Sequence, residues 1–212
     1  MAASIARDPI GEEPPTQAKA TKTTLRSNLL AVRRELPDRP RRDAMLSERL
    51  ADLLAREAPA CVGFYWPILD EFDARPVIIE WLAQGGAGQR RLAALPVVTD
   101  PREPLVFHAW TPDSPMLEGY YRIPVPAHNQ PLSPDLILIP CVGFNRQGYR
   151  LGYGGGFYDR TLAALDPRPR AVGIAFEATE TPALKVQPHD VRLDIVLTES
   201  ATLYSEAAER EA

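Results

Sequence analysis

The segment that is best suited to bind a ligand is a glycine cluster. It follows an apolar run and precedes a helical pattern. Gly152, Gly154, Gly155 and Gly156 would let backbone N–H groups approach an anion, and the following helix would present its positive end. The cluster is neither a Walker A loop, because no Gly-Lys-Ser/Thr follows, nor a dinucleotide fingerprint, because Phe157 stands where the third glycine belongs. A turn that needs glycine only for its backbone geometry is the alternative, and the spacing alone leaves both open.

Two charged residues beside the cluster favour a phosphate ligand. Arg150 could bind phosphate through two parallel hydrogen bonds, although a surface salt bridge would also suit it. Asp159 falls in the first turn of the predicted helix, where an acid stabilises the helix dipole. An acid beside a bound phosphate is repulsive unless a cation lies between them. The pair therefore suggests Mg²⁺, which proteins hold with one or two carboxylates plus phosphates and water.

The distribution of proline supports the same segment. Ten of the 22 prolines lie between Pro96 and Pro140, whereas the longest stretch without proline, 141–166, holds six of the 13 glycines. A proline in that stretch would remove a backbone donor. The composition thus leaves N–H groups available where an anion would bind.

The surrounding pattern predicts an α/β fold. The run 135–140 is apolar without alternation, so we expect a central strand that is covered on both faces. Strands alternating with helices are typical of a sheet with right-handed crossovers. We therefore expect a single three-layer domain, 19–204, with a mostly parallel central sheet flanked by helices, a mobile tail at 1–18 and a frayed tail at 205–212. Further strands are predicted at 60–66, 91–98, 104–110, 170–176 and 193–198. Helices are predicted at 22–36, after Asp38, after Asp73 and at 157–165. An extended, ordered loop is predicted at 111–134.

The first helix is predicted to be amphipathic. Its apolar residues recur at steps of four, three and four, at Leu25, Leu29, Val32 and Leu36. The polar side is predicted to carry Lys22, Arg26, Arg33 and Arg34.

Composition and charge exclude several classes of protein. The 24 Lys and Arg residues face 28 Asp and Glu residues, and the net charge of −4 excludes a general polycationic nucleic-acid binder. No apolar run reaches the length of a membrane span. The two cysteines make neither a disulfide scaffold nor a zinc site, and acids interrupt the N-terminus where a signal peptide would be apolar. We expect a cytoplasmic protein with no nucleic-acid or membrane partner.

The segment RLGYGGGFYDR at 150–160, with the preceding DLILIP, resembles the signature of the 5-formyltetrahydrofolate cyclo-ligase family. Other blocks match in order: Lys22-x-x-Leu25-Arg26, Asp70-Glu71, ALPVV at 94–98, FHAW at 107–110 and HDVRLDIVLTE at 189–199. The resemblance implies an ATP- and Mg²⁺-dependent ligase that converts 5-formyltetrahydrofolate to 5,10-methenyltetrahydrofolate, ADP and phosphate, through phosphorylation of the formyl oxygen. Its partners would be the reduced folate and ATP, and we expect a monomer.

The resemblance also implies roles for individual residues. Arg150 would be the catalytic residue that neutralises phosphate charge, and Asp159 and Asp190 would bind the metal. Folate would contact Trp66, Glu71, Tyr153 and Tyr158. ATP would contact Lys22, Arg26, Arg150, Leu151, Gly152, Tyr153, Gly154, Gly155, Gly156, Phe157 and Tyr158.

Some alternatives stay open. Lys22 and Arg26 also suit a solvated helix face, Glu71 an exposed loop, and Trp66 and Tyr158 the core. Some relatives carry basic residues where this chain has Tyr153 and Gly155, so the remaining basic residues must neutralise more of the phosphate charge. The protein could instead be a non-catalytic nucleotide-binding protein, or an ATP-dependent enzyme with another N-formyl substrate, on the same scaffold.

Overall fold

A computed structural model of the chain describes residues 21–86 and 90–205. These residues form four α-helices, α1 (Lys22–Arg34), α2 (Arg39–Glu57), α3 (Arg75–Ala83) and α4 (Phe157–Ala164). They also form twelve strands: β1 (Cys61–Gly63), β2 (Leu92–Val97), β3 (Val106–Trp110), β4 (Met116–Glu118), β5 (Pro124–Pro126), β6 (Pro131–Leu132), β7 (Leu136–Pro140), β8 (Gly143–Phe144), β9 (Arg150–Leu151), β10 (Arg170–Ile174), β11 (Ile195–Leu197) and β12 (Thr202–Tyr204).

The central sheet is mostly parallel, which confirms the predicted fold class. Its order is β12-β11-β10-β7-β1-β2-β3-β6, and the five strands from β11 to β2 run parallel. The outer strands β12, β3 and β6 pair in antiparallel fashion. From β1 the chain continues to its neighbour β2 on one side, whereas from β7 it continues to its neighbour β10 on the other side. The strand order therefore reverses between β1 and β7. Such a topological switch point opens a crevice at the carboxyl ends of its two strands, where ligands of α/β proteins bind.

Helices cover both faces of the sheet. Leu136 and Leu138 of β7 pack in a cluster with Leu50 of α2 and Ile78 of α3. The alternate residues of β7, Ile137 and Ile139, belong to a second cluster that contains Leu162 of α4. Successive side chains of a strand point to opposite faces, so β7 is buried on both sides as its unbroken apolar run predicts.

The buried face of α1 differs from the predicted stripe. Val32 is 40% exposed, whereas Arg33, predicted on the polar side, is only 3% exposed. Leu25, Leu29 and Leu36 pack inward as expected. The prediction was wrong because apolar periodicity assigns every arginine to solvent, while this guanidinium is buried against polar groups of neighbouring loops.

Other differences are local. Regular strand structure ends at Gly63, and Tyr65 and Trp66, just beyond it, line a cavity. The extended segment 111–134 contains a hairpin formed by β4 and β5, with a 3-10 turn at Tyr120–Arg122 between them. The predicted tails lie outside the described residues except for Ser205, which is buried and whose backbone N–H donates to the carbonyl oxygen of Asp194 at 2.9 Å. No described helix has the length and apolar character that a membrane crossing requires.

Candidate functional site

Two cavities adjoin at the carboxyl ends of β1 and β7, where the strand order reverses. One is mainly apolar, with a volume of about 380 Å³, and the other is lined by glycines and charged residues, with a volume of about 300 Å³. Every site residue predicted from the sequence lines at least one of them. The wall that both cavities share consists of Pro140, Tyr153, Gly155, Phe157 and Tyr158.

The glycine loop shapes the polar cavity. Gly154 and Gly156 adopt φ values of +98° and +66°, a region that glycine enters without steric cost. Gly156 is the residue immediately before α4, so the loop delivers the positive end of that helix to the cavity. The side chain of Leu151 instead packs in a small core with Leu29, which leaves its backbone as the part available to the cavity.

Two basic residues of α1 line this cavity. Arg26 donates from Nε to the carbonyl oxygen of Gly152 at 2.8 Å. Lys22 donates from Nζ to Oδ2 of Asp190 at 3.1 Å. The two side chains stand one helical turn apart, so a single face of α1 presents both positive charges to the glycine loop.

Arg150 is held rigidly at the base of the same cavity. Its side chain is only 5% exposed; Nη2 donates to Oδ1 of Asp159 at 2.7 Å, and Nη1 donates to the carbonyl oxygen of Val191 at 2.9 Å. The backbone N–H of Val191 also donates to Asp159 Oδ1, at 2.9 Å. A buried guanidinium with these fixed partners keeps one orientation toward an anion, without the rotamer entropy that a free arginine would lose.

The predicted metal ligands suit a magnesium ion that is shared with a phosphate ligand. Asp159 and Asp190 both line the polar cavity. Asp159 Oδ2 and Asp190 Oδ1 accept no hydrogen bond from the described residues, and His189 Nε2 lies 3.8 Å from the latter oxygen. No group of three or more acidic, His or Cys side chains is placed to hold a metal by itself in the described parts of the chain. Two carboxylates plus ligand phosphates are a usual set for Mg²⁺.

Glu71 is the charged residue of the apolar cavity. It is 7% exposed; Oε1 accepts from the Tyr153 hydroxyl at 2.6 Å and Oε2 from the backbone N–H of Ile68 at 2.9 Å. Burial raises the pKa of this carboxyl above its ordinary value, while those two hydrogen bonds and the positive charge of Arg33 lower it in part. The carboxylate keeps lone pairs for a ligand with paired N–H donors.

Seven of the sixteen described residues that line the apolar cavity are aromatic. Trp66 and Tyr158 line it, and the guanidinium of Arg75 lies 4.3 Å from the ring centre of Trp66. Tyr120 and Tyr121 of the β4–β5 hairpin also line it, and the sequence analysis missed both. No local signal identifies them, because their place at the cavity depends on a contact with a distant residue: the ring of Tyr121 packs edge-on against Phe157, 6.2 Å away between ring centres.

The fold and the two joined cavities define an α/β protein that can hold a flat aromatic compound next to a phosphorylated one. The model of the 5-formyltetrahydrofolate cyclo-ligase family matches residues 18–199, and the chain belongs to this family. Membership identifies the protein as a ligase of folate metabolism, in agreement with the resemblance in the sequence.

Individual relatives agree with the family match. The 5-formyltetrahydrofolate cyclo-ligase of Haemophilus influenzae is 27% identical, over 82% of this chain and 91% of that protein. The one from Mycoplasma pneumoniae is 41% identical over 70 residues, which span 33% of this chain and only 42% of that protein. The structure of Aquifex aeolicus 5,10-methenyltetrahydrofolate synthetase matches with a TM-score of 0.73 and 26% identity, over 87% of this chain and 93% of the other.

Proposed function

We propose that the protein cyclises 5-formyltetrahydrofolate to 5,10-methenyltetrahydrofolate with consumption of ATP. The formyl oxygen attacks the γ-phosphorus, and the bond between the β- and γ-phosphates breaks to release ADP. The second folate nitrogen then attacks the formyl carbon and loses its proton, while the C–O bond breaks and phosphate leaves. Phosphorylation is needed because the formamide oxygen would otherwise have to leave as hydroxide.

The shared wall between the two cavities carries this proposal. Folate in the apolar cavity and the triphosphate in the polar one would meet at Tyr153, Gly155 and Phe157, which line both. Direct transfer from the γ-phosphate to the formyl oxygen requires such contact between the two sites. Holding both reactants in this way can lower the barrier by about 7–11 kcal/mol.

The side chains of the site would bind and neutralise charge. The aromatic wall would hold the pterin, with Glu71 accepting from its paired N–H groups. The glycine loop, Lys22, Arg26 and Arg150 would bind the phosphates, and Arg150 would stabilise the charge that develops during transfer. Mg²⁺ held by Asp159 and Asp190 would supply further neutralisation of the phosphate oxygens. No side-chain nucleophile is required.

A direct assay tests the proposal. Purified protein with 5-formyltetrahydrofolate, ATP and Mg²⁺ should form the methenyl product, followed by its absorbance, and one ADP should appear for each product molecule. Removing Mg²⁺ with EDTA should abolish the reaction, and added Mg²⁺ should restore it. The absence of product, or an equal yield without ATP, would contradict the proposed reaction and favour a binding protein or another N-formyl substrate.

Replacement of Gly154 by alanine should weaken ATP use. The residue has a φ of +98°, and a Cβ atom there would lie 3.2 Å from Nη2 of Arg26. Strain and displacement of Arg26 should raise the KM for ATP about tenfold, which corresponds to roughly 1.4 kcal/mol of lost binding. Gly86→Ala is the matched control, because a Cβ atom there meets no atom of the described residues within 4 Å. Equal KM values in the two variants would remove Gly154 from the phosphate site.

A further inference from the structure

Arg33 connects three loops that surround the two cavities. Its Nε and Nη2 donate to the carbonyl oxygen of Leu69 at 3.1 and 2.8 Å. Nη1 donates to the carbonyl oxygen of Cys141 at 3.3 Å, and Nη2 also donates to the Tyr153 hydroxyl at 2.7 Å. The loops after β1 and β7 and the glycine loop therefore meet at one buried guanidinium.

The loop after β1 has a conformation that needs such support. Leu69 and Asp70 adopt φ values of +47° and +60°, which residues with a Cβ atom rarely adopt. Two strained residues persist only where surrounding contacts hold them, and strain of this kind clusters at functional sites. Arg33 holds the first of them, and Arg39 donates to the carbonyl oxygens of Asp70 and Glu71 at 3.0 Å each. The turn delivers Glu71 to the apolar cavity.

The glycine loop is tied to the same acid. The Tyr153 hydroxyl receives a hydrogen bond from Arg33, so its own proton is directed to Glu71 Oε1, 2.6 Å away. Arg33 is thus joined to Glu71 by two routes, one through the backbone at Leu69 and one through Tyr153. It lines neither cavity and would contact neither substrate.

We propose that Arg33 is a positioning residue that fixes the Leu69 turn and the Tyr153 hydroxyl, so that Glu71 presents its carboxylate to the folate in a single orientation. This role rests on the proposed function, because it assumes that folate occupies the apolar cavity. Lysine could not replace it, since a single ammonium lacks the planar fork that reaches two loops at once.

Steady-state kinetics of Arg33→Met test the proposal. The KM for 5-formyltetrahydrofolate should rise on the order of tenfold, as expected for the loss of hydrogen bonds to one charged group, while the KM for ATP should change by less than about twofold. Arg33→Lys should also raise the folate KM. Arg56→Met, which alters an exposed arginine in the last turn of α2, is the matched control and should behave as the wild type.

A double-mutant cycle with Tyr153→Phe separates positioning from general destabilisation. Each single variant raises the folate KM by some factor. If Arg33 acts partly through the Tyr153 hydroxyl, the factor for the double variant should be about threefold or more below the product of the two single factors. Calorimetric titration with 5-formyltetrahydrofolate should show the same pattern in Kd without turnover.

Several outcomes would contradict the role of Arg33 while the wild type remains active. The first is an equal rise of the folate and ATP KM values in Arg33→Met. The second is a wild-type folate KM in Arg33→Lys, and the third is a double variant whose effect on the folate KM equals the product of the two single effects. If Arg33→Met does not fold, the Arg33→Lys and Tyr153→Phe variants decide the question. A wild-type protein without activity would instead contradict the proposed function itself.

Discussion

Arg150→Met should lower kcat about 10²- to 10³-fold while the protein stays folded. The guanidinium is only 5% exposed and lines the polar cavity, where it would stabilise the charge that develops on the phosphoryl group in the proposed transfer. Removing one preorganised donor from an active site typically costs that much. Rapid-quench measurement of ADP formation would show whether the loss falls on the chemical step.

The ion pair with Asp159 complicates this experiment and also supplies its control. Arg150→Met leaves the Asp159 carboxylate, 2.7 Å from the lost nitrogen, without its partner. Breaking a buried ion pair in this way typically destabilises a protein by about 3–5 kcal/mol. Asp159→Asn in the Arg150→Met background should restore much of the thermal stability and none of the activity. Asp159→Asn alone should also lose most activity if this carboxylate binds Mg²⁺ as proposed.

Arg168→Met provides a comparison outside the cavities. Arg168 pairs with Asp194 at 3.0 Å and precedes β10, at the opposite end of the sheet from the site. It should keep wild-type kcat. If Arg150→Met also turned over at nearly the wild-type rate, Arg150 would have no role in the transfer, and the polar cavity would need another source of positive charge.

Glu71→Gln should impair the use of folate far more than the use of ATP. The substitution keeps the size of the side chain, but its amide N–H₂ group would face donors, either the Tyr153 hydroxyl or the backbone N–H of Ile68. Buried polar groups that are left without a matching partner weaken binding strongly. The KM for 5-formyltetrahydrofolate should therefore rise at least about 100-fold. The KM for ATP should stay within about twofold.

The pH dependence gives an independent measurement of the same residue. Burial raises the pKa of the Glu71 carboxyl, while the Tyr153 hydroxyl, the Ile68 N–H and the charge of Arg33 lower it in part. Because the pKa is raised, the carboxylate becomes protonated, as pH falls, at a higher pH than an ordinary glutamate would. Folate affinity should therefore decline on the acid side above the ordinary pKa of glutamate, and Glu71→Gln should lack this decline.

Glu57→Gln is the matched control for both measurements. Glu57 ends α2 and lies 3.3 Å from Arg170, remote from both cavities. It should leave both KM values and the pH profile unchanged. Equal increases in the two KM values of Glu71→Gln would indicate that Glu71 maintains the shared wall and does not recognise folate.

Local patterns in the sequence predicted the frame of the site with good precision. The unbroken apolar run of β7 predicted a central strand, and the glycine cluster before α4 marked the loop that lines the polar cavity. Both properties depend on neighbouring residues: burial on two faces leaves no polar position in a strand, and a left-handed φ favours glycine. Such rules act within about ten residues, so they can be read without the fold.

The pairing of distant residues was not predictable in this way. Tyr153 and Glu71 are 82 positions apart, and Arg33 and Tyr153 are 120 positions apart. The helical period of α1 placed Arg33 on the polar side, because apolar periodicity treats each charged residue as solvated. Whether a guanidinium is buried depends on acceptors elsewhere in the chain, here the carbonyl oxygens of Leu69 and Cys141.

By itself, then, the sequence determined the family, the order of the elements and the glycine loop, because these follow from short-range residue pattern and composition. Only the tertiary structure decided that the two cavities share a wall, that Tyr120 and Tyr121 line one of them, and that Arg33 joins the loops around both. The reason is topological. Strands β1 and β7 are adjacent in the sheet but 72 residues separate Gly63 from Leu136 in the chain, and the loops at their ends meet only after the sheet has formed.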